Sequence, residues 1–173
     1  MAGVLDTSRF KYFLSQELQV PISKVDSFVL GGHGDTMVPV PNRTTVNGEN
    51  LNDLMNQGKI SKAKIEEIID RTRKGGAEVV KLLETGSAFY GPAASGIEMA
   101  DSYLNDKKKV LPCAAYLNGE YDIKDLYVGV PVIIGSGGIE KVVELNLDDE
   151  EQKHFQTSIA VSYTHLRAHE TSL

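Results

Sequence analysis

The spacing of the apolar residues changes at Lys109, and this change constrains the fold more than any other feature of the 173-residue sequence. Before Lys109, apolar residues recur every three or four positions, which is the period of a helix that buries one face. After it, the sequence is typical of short antiparallel strands separated by turn residues such as Asn118-Gly119. Helices first and strands later predict an α+β fold, in which long helices pack on antiparallel strands.

The individual elements are delimited by residues that break or cap regular structure. Pro21 ends the first helix, and Gly75-Gly76 should bend or break a longer one because each glycine costs a helix roughly 1 kcal/mol relative to alanine. Glu151 lies three residues after Asp148, the spacing of a capping box. Two helices are predicted to begin at Asp6 and at Asp148, and three others to span about 51–55, 61–83 and 92–104. The predicted strands are 27–30 and 37–40. Two hairpins are predicted after them, one formed by 110–118 with 121–123 and the other by 126–134 with 139–147.

Composition and charge exclude several classes of protein. With 41% hydrophobic and 24% charged residues, the chain has enough apolar material for a core. Its net charge of −6 argues against nucleic acid as a partner, and no stretch approaches the roughly 18 uninterrupted apolar residues of a membrane span. Cys113, the single cysteine, lies in an apolar run and predicts a small buried side chain in a reducing compartment. We therefore expect a soluble, cytoplasmic protein.

Asp6, Arg9 and His33 form the most informative group of polar residues. Asp6 and Arg9 are three residues apart near the predicted start of a helix, so their side chains project from neighbouring positions. His33 lies between glycines, which allow another chain or a ligand to approach closely. By spacing alone, the simpler interpretation is a helix cap, a solvent-exposed arginine and a polar turn residue.

Neither glycine-rich stretch matches a dinucleotide-binding loop. The stretch at 135–138 has Glu140 where the fingerprint requires its third glycine, and it leads into a strand instead of the helix N-terminus that would face a pyrophosphate. The stretch at 31–34 has Met37 in that place. We therefore interpret both as turns and predict no cofactor-binding residue in this chain. The remaining histidines lie at the far end of the sequence, away from His33, so no metal site is predicted.

Several segments of the chain resemble the lactate/malate dehydrogenase family. Residues 5–10, L-D-T-S-R-F, resemble that family's L-D-x-x-R-F segment, and residues 31–35, G-G-H-G-D, resemble its G-x-H-G-D segment. Residues 86–95 and 111–117 resemble the malate branch, as found in the lactate dehydrogenase-like enzymes of bacteria, more than the lactate branch. The resemblance extends from about Met1 to Ile159. It implies a substrate-binding and catalytic C-terminal domain, without the family's NAD-binding Rossmann domain.

The resemblance also implies a role for each residue of the polar group. His33 and Asp6 would be catalytic, with His33 as the general base and acid that interconverts malate and oxaloacetate and Asp6 orienting it. Arg9 would bind the substrate carboxylate. The implied cofactor is NAD, held mainly by a missing N-terminal domain, and the parent enzyme would form a homodimer or homotetramer. This half alone is expected to be inactive. L-lactate as the substrate, and a non-catalytic domain that retained the fold, remain open as alternatives.

The two ends of the chain are predicted to be unusual. Residues 1–160 are expected to be the C-terminal domain of a longer enzyme, with Met1 as an internal methionine. From Val161 to Thr171 the sequence departs from the family and resembles a translated transposase adapter of the kind used in sequencing libraries. We therefore expect residues 161–173 to be a non-native tail. The alternative is a diverged polar tail.

Overall fold

The computed structural model describes residues 1–170, and its helices and strands follow the order expected of the α+β fold. The helices are α1 (Ala2–Glu17), α2 (Leu51–Asn56), α3 (Lys62–Leu83), α4 (Tyr90–Leu104) and α5 (Asp149–Glu170). The strands are β1 (Val25–Asp26), β2 (Val29–Gly31), β3 (Met37–Pro39), β4 (Thr45–Val46), β5 (Glu49–Asn50), β6 (Lys109–Asn118), β7 (Lys124–Gly135) and β8 (Gly138–Val142). The α+β prediction is confirmed.

The strands form two antiparallel sheets. The smaller sheet has the order β1-β4-β5. The larger is built around β7, which pairs with β6 on one edge and with β2 and β8 on the other, while β3 pairs with β2. The contact between β2 and β7 is a single pair, Gly31 with Gly129. Through this pair the large sheet reaches the loop that carries His33.

Helix α1 contributes to two separate hydrophobic clusters. Near its start, Val4 belongs to a cluster formed with the large sheet and α5, in which Phe155 and Ile159 are buried as predicted. About two and three turns later, Phe10 and Leu14 belong to a second cluster with α2, α3 and the small sheet. Burial of a side chain such as Phe10 stabilises the fold by about 1.5–3 kcal/mol. The two clusters fix the position of α1, and Asp6 lies between Val4, which belongs to the first cluster, and Phe10, which belongs to the second.

The prediction that Asp6 caps the first helix is wrong, because α1 begins at Ala2. Val4 and Leu5 are buried in the first turn, so packing extends the helix toward the N-terminus. Gly3 permits this packing: a Cβ at that position would lie only 2.6 Å from the Pro112 carbonyl oxygen of β6. Asp6 is therefore free of the capping role that spacing suggested.

The helix does not break at Gly75-Gly76, where a bend or break was predicted, since α3 continues from Lys62 to Leu83. Gly75 is buried where α3 packs against α1. Tertiary packing at this crossing outweighs the intrinsic cost of about 1 kcal/mol for each glycine in a helix.

The predicted pairing of the later strands is wrong in one detail. Tyr121 and Asp122 have φ angles of 53° and 58°, a left-handed backbone that a strand cannot adopt. Residues 120–122 therefore form a 3-10 turn, and β6 pairs directly with β7 along its length. The following hairpin, from β7 to β8, forms as predicted but ends at Val142.

Helix α5 opens with the predicted capping box. The Glu151 N–H donates to Asp148 Oδ1 at 2.8 Å, and the Asp148 N–H donates to Glu151 Oε2 at 3.1 Å. Glu151 is buried, and its other oxygen accepts a hydrogen bond of 2.9 Å from the Asn42 N–H. Helix α5 is thereby attached to the turn that follows β3.

The predicted non-native tail overlaps the end of α5, which runs to Glu170. Residues 171–173 of that tail lie outside the described residues, and the origin of the segment stays a prediction. Cys113 is buried in β6, as predicted. Across residues 1–170, the structure has no helix that is both long enough and apolar enough to cross a membrane.

Candidate active site

The fold brings together all three residues of the predicted polar group. Asp6 lies in the second turn of α1, and only 2% of its side chain is exposed. One carboxylate oxygen, Oδ2, lies 2.8 Å from Nδ1 of His33, and the other, Oδ1, accepts a hydrogen bond of 3.2 Å from Nη1 of Arg9. Asp6 therefore links a histidine and an arginine that come from different elements.

The exposure of the three side chains differs in a way that suits distinct roles. The side chain of Arg9 is 16% exposed, whereas that of His33 is 55% exposed. An ionised carboxylate only accepts hydrogen bonds, so Asp6 selects the His33 tautomer in which Nδ1 carries the hydrogen. The free lone pair of the neutral imidazole is then on Nε2, the ring nitrogen that Asp6 does not bind.

Burial raises the pKa of Asp6 above its ordinary value, although the hydrogen bond and charge of His33 and the charge of Arg9 act in the opposite direction. The ionised carboxylate consequently depends on these two partners for the stabilisation that water would otherwise provide. This dependence makes the carboxylate a strong acceptor for a protonated imidazole.

His33 lies in the loop between β2 and β3, and its neighbours hold that loop closely. Gly31 and Gly34 have positive φ angles of 78° and 87°, which only glycine adopts without strain. The Gly32 N–H donates to Ser158 Oγ of α5 at 2.8 Å. Before the loop, the Val29 N–H donates to Thr7 Oγ1 at 2.9 Å, which joins β2 to the helix that carries Asp6.

Arg9 lies against the glycine pair of α3. A Cβ on Gly75 would stand 3.1 Å from Cδ of Arg9 and 3.4 Å from its Nε. The pair is therefore the surface over which the arginine side chain passes, and this role was missed from the sequence. The available signal was the occurrence of two adjacent glycines inside an otherwise continuous helical pattern.

Two cavities adjoin the polar group. Arg9 lines one of about 280 Å³, whose other walls are mostly apolar and include Leu5 and Phe89. Asp6 and His33 line another of about 180 Å³, together with Tyr127 and residues at the start of α1. A cation that can hold a carboxylate and a histidine that can exchange a proton therefore both adjoin open space.

The glycine-rich stretch at 135–138 forms the turn between β7 and β8, as interpreted from the sequence. The Ser136 N–H donates to Asp106 Oδ1 at 2.8 Å, and a strand follows. Of the described residues, no three histidine, cysteine, aspartate or glutamate side chains are grouped so that they could hold a metal ion.

Comparison with known proteins identifies the family. Residues 3–169 match the model of the lactate/malate dehydrogenase, alpha/beta C-terminal domain. A curated malate dehydrogenase of Pelagibacter ubique is 60% identical over 159 residues, which are 92% of this chain and 50% of that protein. The chain thus spans about half the length of the curated relative it matches.

Solved structures agree in fold. The malate dehydrogenase of Cryptosporidium parvum is 48% identical with a TM-score of 0.95, and the match covers 99% of this chain and 55% of that one. The lactate dehydrogenase of Eimeria maxima, solved with NADH and oxamate, is 42% identical with a TM-score of 0.95, covering 99% and 53%. The chain belongs to the lactate/malate dehydrogenase family, and residues 3–169 correspond to its C-terminal domain.

Proposed function

We propose that this chain forms the substrate-binding and catalytic half of an NAD-dependent malate dehydrogenase. The observation that carries the proposal is the hydrogen-bonded group in which Asp6 binds both His33, at 2.8 Å, and Arg9, at 3.2 Å. A buried carboxylate that orients a half-exposed histidine beside a cation suits proton exchange with an anionic substrate.

His33 acts as the general base when malate is oxidised. The hydroxyl proton of malate must leave as the adjacent carbon loses hydride, and Nε2 of His33 takes it. The positive charge formed on the imidazole is stabilised by Asp6 through Nδ1. In the reverse direction the imidazolium returns the proton to the oxygen of oxaloacetate.

Arg9 holds the substrate carboxylate next to the reacting carbon. A guanidinium can form two parallel hydrogen bonds to a carboxylate, which fixes both the distance and the orientation of the substrate. Asp6 occupies Nη1 from one side, and this leaves other N–H groups of Arg9 to bind substrate. Arg9 and His33 thereby position and deprotonate the same molecule.

NAD is held mainly by parts of the parent protein outside this chain. The glycine-rich turns at 31–34 and 135–138 both lead into strands, so neither supplies a helix N-terminus for a pyrophosphate. When bound, NAD supplies the acceptor for the hydride. The residues of this chain bind and orient the substrate and move its proton.

Malate is preferred to lactate as the substrate because the malate dehydrogenase of Pelagibacter ubique is 60% identical to this chain. Lactate is the second candidate, since the structural neighbours include the lactate dehydrogenases of Cryptosporidium parvum, at 45% identity, and Eimeria maxima, at 42%. The parent enzyme is proposed to be a cytoplasmic homodimer or homotetramer.

The test is a hybrid enzyme in which this chain is joined to the N-terminal half of a malate dehydrogenase relative. His33→Asn in the hybrid should lower kcat by about a hundredfold or more, because it removes the general base. His154→Asn is the matched control, since His154 is an exposed histidine of α5 and does not contact Asp6. A His33→Asn hybrid with full activity would overturn the proposal. The chain without the added half should show no NAD-dependent oxidation of malate.

A further inference from the structure

The loop that carries His33 is held by two elements far from it in sequence. Gly31 pairs with Gly129 of β7, and a Cβ on Gly129 would overlap the Gly31 carbonyl oxygen. A Cβ on Gly31 would in turn overlap Ser158 Oγ of α5. The backbone just before His33 therefore packs against β7 and α5 without room for a side chain.

Ser158 makes the polar contact of this packing. Ser158 is only 1% exposed, and its hydroxyl oxygen accepts a hydrogen bond of 2.8 Å from the Gly32 N–H. Gly32 is the residue directly before His33 in the sequence. The hydrogen bond thus fixes the backbone one peptide unit away from the imidazole, on the side of the loop that enters from β2.

Helix α5 is well placed to act as a fixed support for this contact. Seven residues before Ser158, Glu151 accepts the Asn42 N–H at 2.9 Å, which attaches α5 to the turn after β3. Between them, Phe155 is completely buried in the large cluster. Helix α5 therefore contacts the β2–β3 hairpin at two places: Ser158 binds its loop, and Glu151 binds the turn that follows β3.

We propose that Ser158 is a positioning residue for His33: its hydroxyl holds the loop at the place where His33 Nδ1 meets Asp6. This inference rests on the proposed function of His33. Asp6 is carried by α1, and His33 by the β2–β3 loop, so their 2.8 Å contact requires the two elements to be held in register. Thr7 joins β2 to α1 before the loop, and Ser158 holds the loop itself.

Loss of the Ser158 hydroxyl should affect turnover and substrate binding differently. Ser158 contacts the loop of His33 and not Arg9, whose side chain passes over Gly75 of α3. Loss of the Ser158 hydroxyl should therefore misplace the base and leave the carboxylate-binding arginine unchanged. A displacement of about 1 Å at a reacting group can reduce the rate by a hundredfold.

The experiment compares Ser158→Ala with Ser102→Ala in the hybrid enzyme. Ser102 is the control because it is also a fully buried helix serine whose hydroxyl accepts a backbone N–H, from Lys109 at 3.2 Å. Its hydroxyl also donates to the Ile134 carbonyl at 2.7 Å, so it joins α4 to β6 and β7 and not to the His33 loop. Ser158→Ala should lower kcat about tenfold or more and change KM less than twofold. Ser102→Ala should lose at least as much stability in urea as Ser158→Ala and keep the kcat of the parent hybrid.

A spectroscopic measurement on the 173-residue chain gives a second readout. The hydrogen on His33 Nδ1, which is bonded to Asp6, should exchange with solvent faster in Ser158→Ala than in the parent chain, and Ser102→Ala should leave its exchange unchanged. If Ser158→Ala does not fold, Ser158→Cys replaces it, because the thiol fills similar space and is only a weak acceptor.

Equal kcat in Ser158→Ala and Ser102→Ala, or unchanged exchange of the Nδ1 hydrogen, would overturn the proposal. Failure of the proposed function is recognised separately, by a His33→Asn hybrid that keeps its activity. In that case the exchange measurement still decides whether Ser158 positions the His33 loop, because it does not depend on turnover.

Discussion

Gly75 of α3 lies against the side chain of Arg9 of α1, so closely that a Cβ on Gly75 would stand 3.1 Å from Arg9 Cδ. That distance is shorter than an ordinary contact between carbon atoms, so one of the two side chains would have to move. The glycine therefore destabilises the helix by about 1 kcal/mol relative to alanine, but it leaves space for the side chain of Arg9. The arrangement connects the stability of α3 with the position of Arg9, the residue that we propose binds the substrate carboxylate.

Gly75→Ala should raise the KM for oxaloacetate in the hybrid enzyme about tenfold, because the added methyl group displaces Arg9. The helix itself should become more stable, by up to about 1 kcal/mol. Gly96→Ala in α4 is the control, because a Cβ at Gly96 has no other atom within 4 Å. It should stabilise the protein without changing KM. Steady-state kinetics and urea denaturation measure both effects, and an unchanged KM in Gly75→Ala would contradict the prediction.

Arg9→Lys should raise KM about tenfold to a hundredfold, because a lysine cannot form the two parallel hydrogen bonds that a guanidinium offers to a carboxylate. The substitution keeps the positive charge, so it tests geometry and not charge alone. Arg71→Lys is the matched control: Arg71 binds Glu78 at 2.7 Å on the exposed surface of α3. If both variants gave the same KM, Arg9 would not hold the substrate carboxylate.

Asp6→Asn should lower kcat by two orders of magnitude or more, since a neutral amide neither selects the required tautomer of His33 nor stabilises its protonated form. KM should change as well, because Arg9 loses its ionic contact at 3.2 Å. Asp70→Asn, which replaces an exposed aspartate paired with Lys74 on α3, should leave both constants unchanged. Substantial turnover by the Asp6→Asn hybrid would argue that His33 is oriented by other contacts.

Glu151→Gln should change how stability depends on pH. Burial raises the pKa of Glu151, while hydrogen bonds from the Asn42 and Asp148 N–H groups act to lower it. A carboxyl whose pKa is raised by folding stabilises the folded state most below its unfolded pKa, about 4.3, and this contribution is lost as pH rises through the folded pKa.

The glutamine variant does not titrate, so its free energy of unfolding should increase relative to that of the parent chain as pH rises from 4 toward 7. Urea denaturation at a series of pH values measures the difference. The control is Glu150→Gln, whose side chain is 71% exposed. A difference that stays constant with pH would show that burial does not govern this carboxyl.

Much of the fold could be predicted because it depends on local patterns. The three-to-four spacing of apolar residues placed α3 and α4, and Asp148 with Glu151 marked the start of α5. The errors arose where packing outweighs local preference. The backbone at Tyr121 is left-handed, and α3 continues through Gly75 because its buried face meets α1.

The sequence by itself determined the α+β class and the family, and it singled out Asp6, Arg9 and His33 as candidate site residues, because periodicity and short motifs are properties of neighbouring residues. Only the tertiary structure decided what holds these residues in place. Ser158 supports the His33 loop from α5, and Gly75 makes room for Arg9 from α3. Both contacts join residues far apart in the chain, and no local pattern specifies which distant elements come together. Their pairing is set by burial of the two hydrophobic clusters that α1 connects.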